Sequence, residues 1–314
     1  FKKDMKFKKP AFWDLPKSNF FSYLLIPFTF LIVAKNFLSQ FSKKEKFSNI
    51  KTICVGNIYL GGTGKTPLTI KIYEIFKKLD KKVATVKKNY SNQKDEQLLL
   101  ENKTSLIISN SRKNAILKGL NENYDVLIFD DGLQDTKIDY DLKFVCFKTD
   151  NWIGNGQIIP AGPLREKISS LKKYDAVILN GKSENLDNIK DQILNINSNI
   201  KIISSFYKIL NIKDYDLKSK YLIFSGIGNP KDFKNTLIEN KFEIEDELIF
   251  PDHFEYTLED FEKIYNKAKN KDLKIITTEK DYMKIPEKYK NEIKFLNIEL
   301  IIEDEDKLIE LLNN

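Results

Sequence analysis

Two short stretches carry residue types suited to phosphate chemistry. Gly61-Gly62-Thr63-Gly64-Lys65-Thr66 follows the apolar run 53–55 and precedes the helix-like segment 68–78. Phe129-Asp130-Asp131-Gly132-Leu133-Gln134 ends a second apolar run, 126–129, on two aspartates. A glycine-rich turn between strand and helix leaves backbone N–H groups and the helix N-terminus free to face an anion. The expected cradle is Tyr59, Leu60, Gly61, Gly62, Thr63 and Gly64. Lys65 would reach the β- and γ-phosphates of a nucleoside triphosphate, and the Thr66 hydroxyl would hold Mg²⁺. A carboxylate at the tip of a neighbouring parallel strand, Asp130 or Asp131, completes the metal's protein ligands. The loop is a variant of G-x-x-x-x-G-K-[ST]: the first Gly position is Tyr59, and extra glycines stand at 61 and 62. With the aspartate pair beside it, the loop points to ATP or GTP rather than to a ligand-free turn.

These residues need strands and helices to hold them. Strand-like apolar runs lie at 52–55, 83–86, 106–108, 126–129, 144–147, 176–179 and 202–205, with helix-like segments at 68–78, 111–120 and 184–195. Short apolar runs without alternation suit parallel strands buried on both faces. A polar stretch at 208–220 interrupts the pattern. A second series follows, with strands at 221–224, 247–250, 274–277 and 293–296 and helices near 232–239, 258–270 and 305–312. The expectation is an α/β protein of two α/β/α lobes with mainly parallel sheets, the first like a P-loop NTPase, plus an N-terminal membrane-associating helix. Its boundaries are 1–40 for the anchor, 41–207 for the P-loop lobe, 208–219 for a linker and 220–314 for the second lobe.

The 314 residues are ample for a buried core, with 41% hydrophobic and 31% charged residues and a net charge of +7. That charge suits anionic lipid or a phosphorylated substrate. No nucleic-acid-binding motif accompanies it, so nucleic acid is discounted as a partner. Cys54 and Cys146 lie in apolar runs and read as buried thiols of a reducing compartment. One histidine cannot build a His-rich metal site.

The N-terminal stretch differs from the rest. Lys2, Lys3, Lys6, Lys8 and Lys9 precede the run NFFSYLLIPFTFLIVA at 19–34, and Lys43, Lys44 and Lys46 follow it. As a helix, the run would extend about 25 Å, the lower limit for crossing a bilayer. No small-x-small cleavage site follows, as a signal peptide would need. The phosphate loop that comes next must meet cytosolic nucleotide. The segment therefore reads as an interfacial or re-entrant anchor on the cytoplasmic leaflet, drawn by anionic lipid. A buried core helix is the other reading.

More stretches extend the pattern: Val55-Gly56-Asn57-Ile58 before the loop, Asp95-Glu96 with 98–100, Gly154-Asn155-Gly156, and Pro160-Ala161-Gly162-Pro163-Leu164-Arg165-Glu166. Asp175-Ala176 through Asn180-Gly181, Ser225-Gly226-Ile227-Gly228-Asn229-Pro230, Pro251-Asp252-His253 and Thr277-Thr278-Glu279-Lys280-Asp281 follow. In this order the chain resembles the tetraacyldisaccharide 4′-kinases, the lipid A 4′-kinases of Gram-negative bacteria. The P-A-G-P-L-R-E and D-D-G-L-Q stretches are more specific than the phosphate loop. The resemblance implies ATP- and Mg²⁺-dependent phosphorylation of a membrane-embedded disaccharide lipid by a monomer on the cytoplasmic face of the inner membrane. Phosphoryl transfer needs positioning and charge neutralisation above all. Arg165 would bridge phosphate oxygens, Glu166 would help hold the metal with Thr66, Asp130 and Asp131, and Gln134 would line the nucleotide site.

The P-D-H context of His253 resembles the family's catalytic histidine, which pairs with the aspartate matched by Asp95. A carboxylate beside an imidazole gives a base for a sugar hydroxyl, in either division of roles. Read alone, His253 is a surface loop residue and Asp95 a first-turn helix acid. Asp95 falls in the expected first lobe and His253 in the second, so pairing them requires the lobes to close.

The chain also departs from the family. Asp135 stands where the family usually has His, and Lys87-Lys88-Asn89-Tyr90 where it has Ser-Arg-Gly-Tyr. These changes bear on substrate-side contacts more than on the ATP site. Two other classes compete: a membrane-associated deviant P-loop ATPase or switch protein, and a tethered scaffold with a vestigial site. The first would carry Lys at position 60, which is Leu60; a GTPase would carry Asn-Lys-x-Asp, which Asn180-Gly181-Lys182-Ser183 lacks.

Overall fold

The non-alternating apolar runs become the strands of two mainly parallel sheets in a computed structural model that describes residues 9–39, 41–89 and 94–313. The elements in chain order are α1 (Phe20–Ser39), β1 (Lys51–Gly56), α2 (Lys65–Lys78), β2 (Val83–Lys88), α3 (Lys94–Lys103), β3 (Leu106–Ser109), α4 (Arg112–Asn121), β4 (Val126–Asp130) and β5 (Leu142–Lys148). Next come β6 (Ala176–Asn180), α5 (Leu186–Ile196), β7 (Lys201–Ile209), β8 (Lys220–Ser225), α6 (Pro230–Glu239), β9 (Glu243–Ile249) and α7 (Leu258–Asn270). The chain ends with β10 (Lys274–Thr278), α8 (Glu279–Tyr282), α9 (Glu287–Lys290), β11 (Ile293–Leu296), β12 (Ile298–Ile302) and α10 (Glu305–Asn313). Lys2, Lys3, Lys6, Lys8 and Tyr90 lie outside the described residues.

One compact unit comprises residues 9–89, 103–207 and 300–313. Its eight-stranded sheet has the order β12-β7-β6-β5-β1-β4-β2-β3. Both faces are covered. Ile53 and Val55 of β1 pack on Leu68, Ile72 and Phe76 of α2, while Cys54 points into the cluster of Val86, Ile116, Leu127 and Phe129. This two-sided burial explains why the strands read as unbroken apolar runs. β1 pairs in parallel with β4 on one side and β5 on the other. Strand order reverses there, and open α/β sheets bind ligands at the carboxyl ends of strands at such a point. The phosphate loop leaves the carboxyl end of β1, and Asp130 ends β4.

The other unit comprises residues 94–102 and 208–299. Its sheet has the order β11-β10-β8-β9, with every pair parallel. Leu222 and Phe224 of β8 pack on Phe261 and Ile264 of α7; Tyr221 and Ile223 face Phe233 and Leu237 of α6.

Three boundaries differ from the sequence expectation. Residues 94–102 belong with the second series of strands rather than with the phosphate loop. The chain end returns to the larger sheet: β12, unanticipated as a strand, lies beside β7, and Leu308 and Leu312 join the core under α2. Residues 208–219 are packed rather than a loose linker. The Tyr215 hydroxyl donates to the Phe295 carbonyl at 2.6 Å, and Asn211 Nδ2 donates to the same oxygen at 3.0 Å.

α1 spans about 30 Å at 1.5 Å per residue. Ser22 is its only buried residue among those described. Phe20, Phe21, Tyr23, Leu24, Phe28, Phe30 and Leu31 are exposed. By length and composition α1 is apolar enough to cross a membrane, and its exposure separates it from a buried core helix.

At the carboxyl end of β5, burial pulls the Lys148 ammonium down to about 8, against Asp150 and with help from Lys9. Its native form thus binds a proton less readily than the unfolded chain between about pH 8 and the ordinary lysine value of 10.5. Wild-type stability rises with pH across that window. Lys148→Met is expected to be about 1–3 kcal/mol more stable at pH 7. The advantage should shrink by pH 10, as read from denaturant unfolding at both pH values. An advantage that stays constant would refute the burial account.

Candidate active site

The phosphate loop turns at Gly61 and Gly64, whose positive φ angles a side chain adopts only with strain. Gly64, the cap of α2, has φ +90°, and a Cβ there would meet Asn180 Nδ2 at 2.8 Å. Lys65 and Thr66 open the helix, so their side chains start where its unpaired N–H groups lie. Lys65 Nζ is 3.4 Å from Asn57 Oδ1 and 3.2 Å from Asp131 Oδ2. The Thr66 hydroxyl donates to Asp130 Oδ2 at 3.0 Å. The Thr63 hydroxyl is buried without a hydrogen-bond partner among the described residues. Two expected cradle positions have other tasks. The Leu60 amide donates to Pro163 O at 2.8 Å, leaving none for a phosphate. Tyr59 is buried, with its hydroxyl on Asp14. Both residues tie the loop to its neighbours.

The aspartate pair organises the rest of this half-site. Asp131 follows β4 in a left-handed conformation, φ +64°, and its amide donates to Val55 O at 2.8 Å. That turn sends its carboxylate away from the row of Asp130, between Lys65 and Arg165 Nη1, the latter at 3.3 Å. Burial pushes the Asp131 carboxyl up, but Lys65, Arg165 and Lys87 hold it below the usual carboxylate range. Arg165 Nη1 also donates to Gln134 Oε1 at 3.1 Å. Gln134 Nε2 in turn reaches Asn57 O at 2.9 Å and Glu166 Oε1 at 3.4 Å. Glu166 accepts from the Tyr174 hydroxyl at 3.3 Å, so it joins the cluster through Gln134. Two hydrogen bonds to the Arg165 backbone hold its loop: its N–H donates to Ile58 O at 2.7 Å, and the Asn36 side-chain Nδ2 of α1 donates to its carbonyl at 2.9 Å.

One residue from each departure, Lys87 and Asp135, sits beside this cluster. Lys87 Nζ is 2.8 Å from Asp130 Oδ2. Asp135 receives Arg112 Nη1 at 2.9 Å, and Arg112 Nη2 donates to the Asp131 carbonyl. Sequence reasoning missed Arg112, which stands in no phosphate motif.

The oxygens present suit a hard divalent cation. Asp130 Oδ1 is buried with no hydrogen-bond partner among the described residues, and the Thr66 hydroxyl lies on the other oxygen of the same carboxylate. No group of three or more His, Cys, Asp or Glu forms a cage among the described residues. The protein ligands thus fit a metal that takes its remaining oxygens from a nucleotide's phosphates, as Mg²⁺ does.

A second cluster lies in the other unit. His253 follows β9 at φ +56°, its amide bonded to Gly226 O at 3.1 Å. Its Nδ1 is 2.8 Å from Asp95 Oδ1 and 3.1 Å from Oδ2. Asp95 stands in the first turn of α3, where Oδ1 also accepts from the Glu96 amide at 2.9 Å. Lys284 and Lys280 approach Asp95 Oδ2 at 3.1 Å and 3.4 Å. Burial pushes the Asp95 carboxyl up, but the His253 hydrogen bond and the two lysines hold it well below the usual range. Burial likewise works against the Lys280 charge, yet Glu96, Asp95 and Asp252 raise it. Asp95 is therefore a fixed anion that orients the imidazole. Because residues 94–102 pack with 208–299, the pair already exists within one unit and needs no closure of lobes to form. Sequence reasoning quoted Lys280 within a matching stretch but gave it no role, and it missed Lys284.

Comparison with known proteins decides the family. The family described as LpxK, tetraacyldisaccharide-1-P 4′-kinase, matches residues 21–314. The chain belongs to the tetraacyldisaccharide 4′-kinase family. It is 50% identical over 306 residues to a tetraacyldisaccharide 4′-kinase of Pelagibacter ubique, covering 97% of this chain and 96% of that one. A tetraacyldisaccharide 4′-kinase of Rickettsia akari is 33% identical over 325 residues, covering 98% and 97%. The fold is similar to the crystal structure of LpxK from Aquifex aeolicus in complex with ATP, with a TM-score of 0.70, 24% identity, and coverage of 93% and 98%.

In this kinase family setting, Lys65→Ala and Thr66→Ala are each expected to abolish phosphoryl transfer while thermal unfolding stays cooperative. Near wild-type turnover of either variant at saturating nucleotide would remove the phosphate-loop assignment. Asp95→Asn and His253→Ala should each lower kcat by about 10²–10⁴-fold. The double variant should be scarcely worse than the worse single one, because groups acting as a unit are not additive. Steady-state kinetics that give additive losses in log kcat would break the pair.

Proposed function

We propose that this chain transfers the γ-phosphoryl group of ATP to the 4′-hydroxyl of a tetraacylated disaccharide 1-phosphate, giving the bisphosphorylated lipid A precursor. The observation that carries this reading is Thr66 on Asp130 beside Lys65 at the opening of α2. The names of the family and of the Pelagibacter and Rickettsia relatives support the acceptor.

In the reaction, the 4′-oxygen forms a bond to the γ-phosphorus as the bond to the β,γ-bridging oxygen breaks, and ADP leaves. Lys65 neutralises charge on the phosphates, and Arg165, steered by Asp131 and Gln134, stabilises oxygens of the moving group. Thr66 and Asp130 would hold Mg²⁺, which would neutralise charge on the phosphate oxygens. The Asp95–His253 pair takes the hydroxyl proton, with Asp95 kept ionised by Lys280 and Lys284.

The acceptor is a lipid, and α1 supplies an apolar surface for meeting it. Its exposed aromatic and aliphatic side chains would lie in the headgroup and acyl boundary of the cytoplasmic leaflet, flanked by lysines drawn to anionic lipid. The enzyme is read as a monomer at the cytoplasmic face of the bacterial inner membrane.

Incubation with labelled ATP, Mg²⁺ and tetraacyldisaccharide 1-phosphate, followed by lipid chromatography, should give a bisphosphorylated product. Acceptor-independent ATP hydrolysis with no lipid product would favour a P-loop ATPase or switch instead. Removing residues 1–35 should cut binding to anionic liposomes and slow phosphorylation of membrane-embedded acceptor more than of a dispersed analogue. Equal liposome sedimentation of full-length and shortened protein would count against the anchor.

A further inference from the structure

Lys87 is an ammonium group placed inside the metal subsite. The parallel register of β2 and β4 sets Lys87 opposite Asp130. Its Nζ lies 2.8 Å from Asp130 Oδ2, the oxygen that also receives the Thr66 hydroxyl at 3.0 Å. The Lys87 side chain is 1% exposed and that of Asp130 is 0% exposed, so no water screens the pair. Among the described residues, Lys87 is on Asp130, while Lys65 and Arg165 are on Asp131.

A bare divalent cation approaching this site meets an occupied carboxylate and a nearby positive charge. A triphosphate that brings the metal with it meets the reverse, because its own charge offsets both. From this contrast, and resting on the kinase reading above, we propose that Lys87 is a positioning residue that occupies the Asp130 carboxylate in the free enzyme, so that the divalent metal enters only together with nucleotide. Lys87 holds Oδ2 toward Thr66, leaving Oδ1 as the open position. It also keeps a buried carboxylate from standing unpaired between turnovers.

The test uses full-length, nucleotide-free protein and metal alone. Binding of Mn²⁺ is followed by loss of the free-ion electron paramagnetic resonance signal, and thermal unfolding is followed as Mg²⁺ is titrated. Lys87→Ser and Lys87→Met are expected to bind Mn²⁺ at least about tenfold more tightly than wild type, since each removes a like charge beside the metal. Both should start from a lower Tm and gain more from Mg²⁺ than wild type does, because the metal replaces the lost counter-ion. Lys87→Arg should resemble wild type. Binding of metal-free ATP, measured in EDTA, should weaken in the Ser and Met variants. Wild-type or weaker Mn²⁺ affinity in both folded variants would overturn the proposal. If either variant is unfolded without metal, recovery of its fold by Mg²⁺ supports the proposal, and failure to recover at saturating Mg²⁺ overturns it. A negative result here leaves the kinase reading standing, because that reading is judged by labelled-phosphate transfer rather than by metal binding.

Discussion

The candidate phosphate half-site depends on seating two carboxylates side by side at the buried tip of β4. Burying a charge is costly unless it is paired and hydrogen-bonded. The solution here divides the load. Asp130 stays in the strand and takes Lys87 and Thr66. Asp131 turns out through a left-handed residue and takes Lys65 and Arg165. Removing any one cation leaves a carboxylate under-compensated, so the same cations hold the cluster together. The second cluster repeats the logic, with His253, Lys280 and Lys284 keeping Asp95 anionic.

Much of this was legible in the sequence because motifs encode local geometry. Gly64-Lys65-Thr66 must sit between strand and helix to work, and it does. Apolar runs without alternation announced strands covered on both faces. The Asp130–Gln134 and Pro160–Glu166 stretches led to residues that do meet, through Arg165 and Gln134. The link between Asp95 and His253 came from the resemblance alone, since a lone loop histidine carries no periodic signal.

Other features were illegible because local pattern does not state which sheet a segment joins. Residues 94–102 follow the phosphate loop in sequence but pack with the second series of strands. A single residue, Asn297, separates β12 from β11, yet β12 lies in the other sheet beside β7. Arg112 and Lys284 have partners far off in sequence, and no spacing rule connects them. Leu60 misled because a glycine-rich motif implies free amides, whereas this one is spent on Pro163. The position of Lys87 opposite Asp130 follows from strand register, which the sequence alone does not state.

That register has a bearing on how the chain finds its fold. Val55, Asp130 and Lys87 occupy one row across β1, β4 and β2. Side chains alternate faces along a strand, so a slip of one residue in β2 would carry the lysine to the opposite side of the sheet. There its ammonium would meet hydrocarbon, and Asp130 would face an apolar neighbour such as Val86. Interior strands rich in Val and Ile have little else to distinguish one alignment from the next. The buried ion pair makes mis-threaded sheets costly, so Lys87 and Asp130 also proofread the assembly of the sheet that carries them.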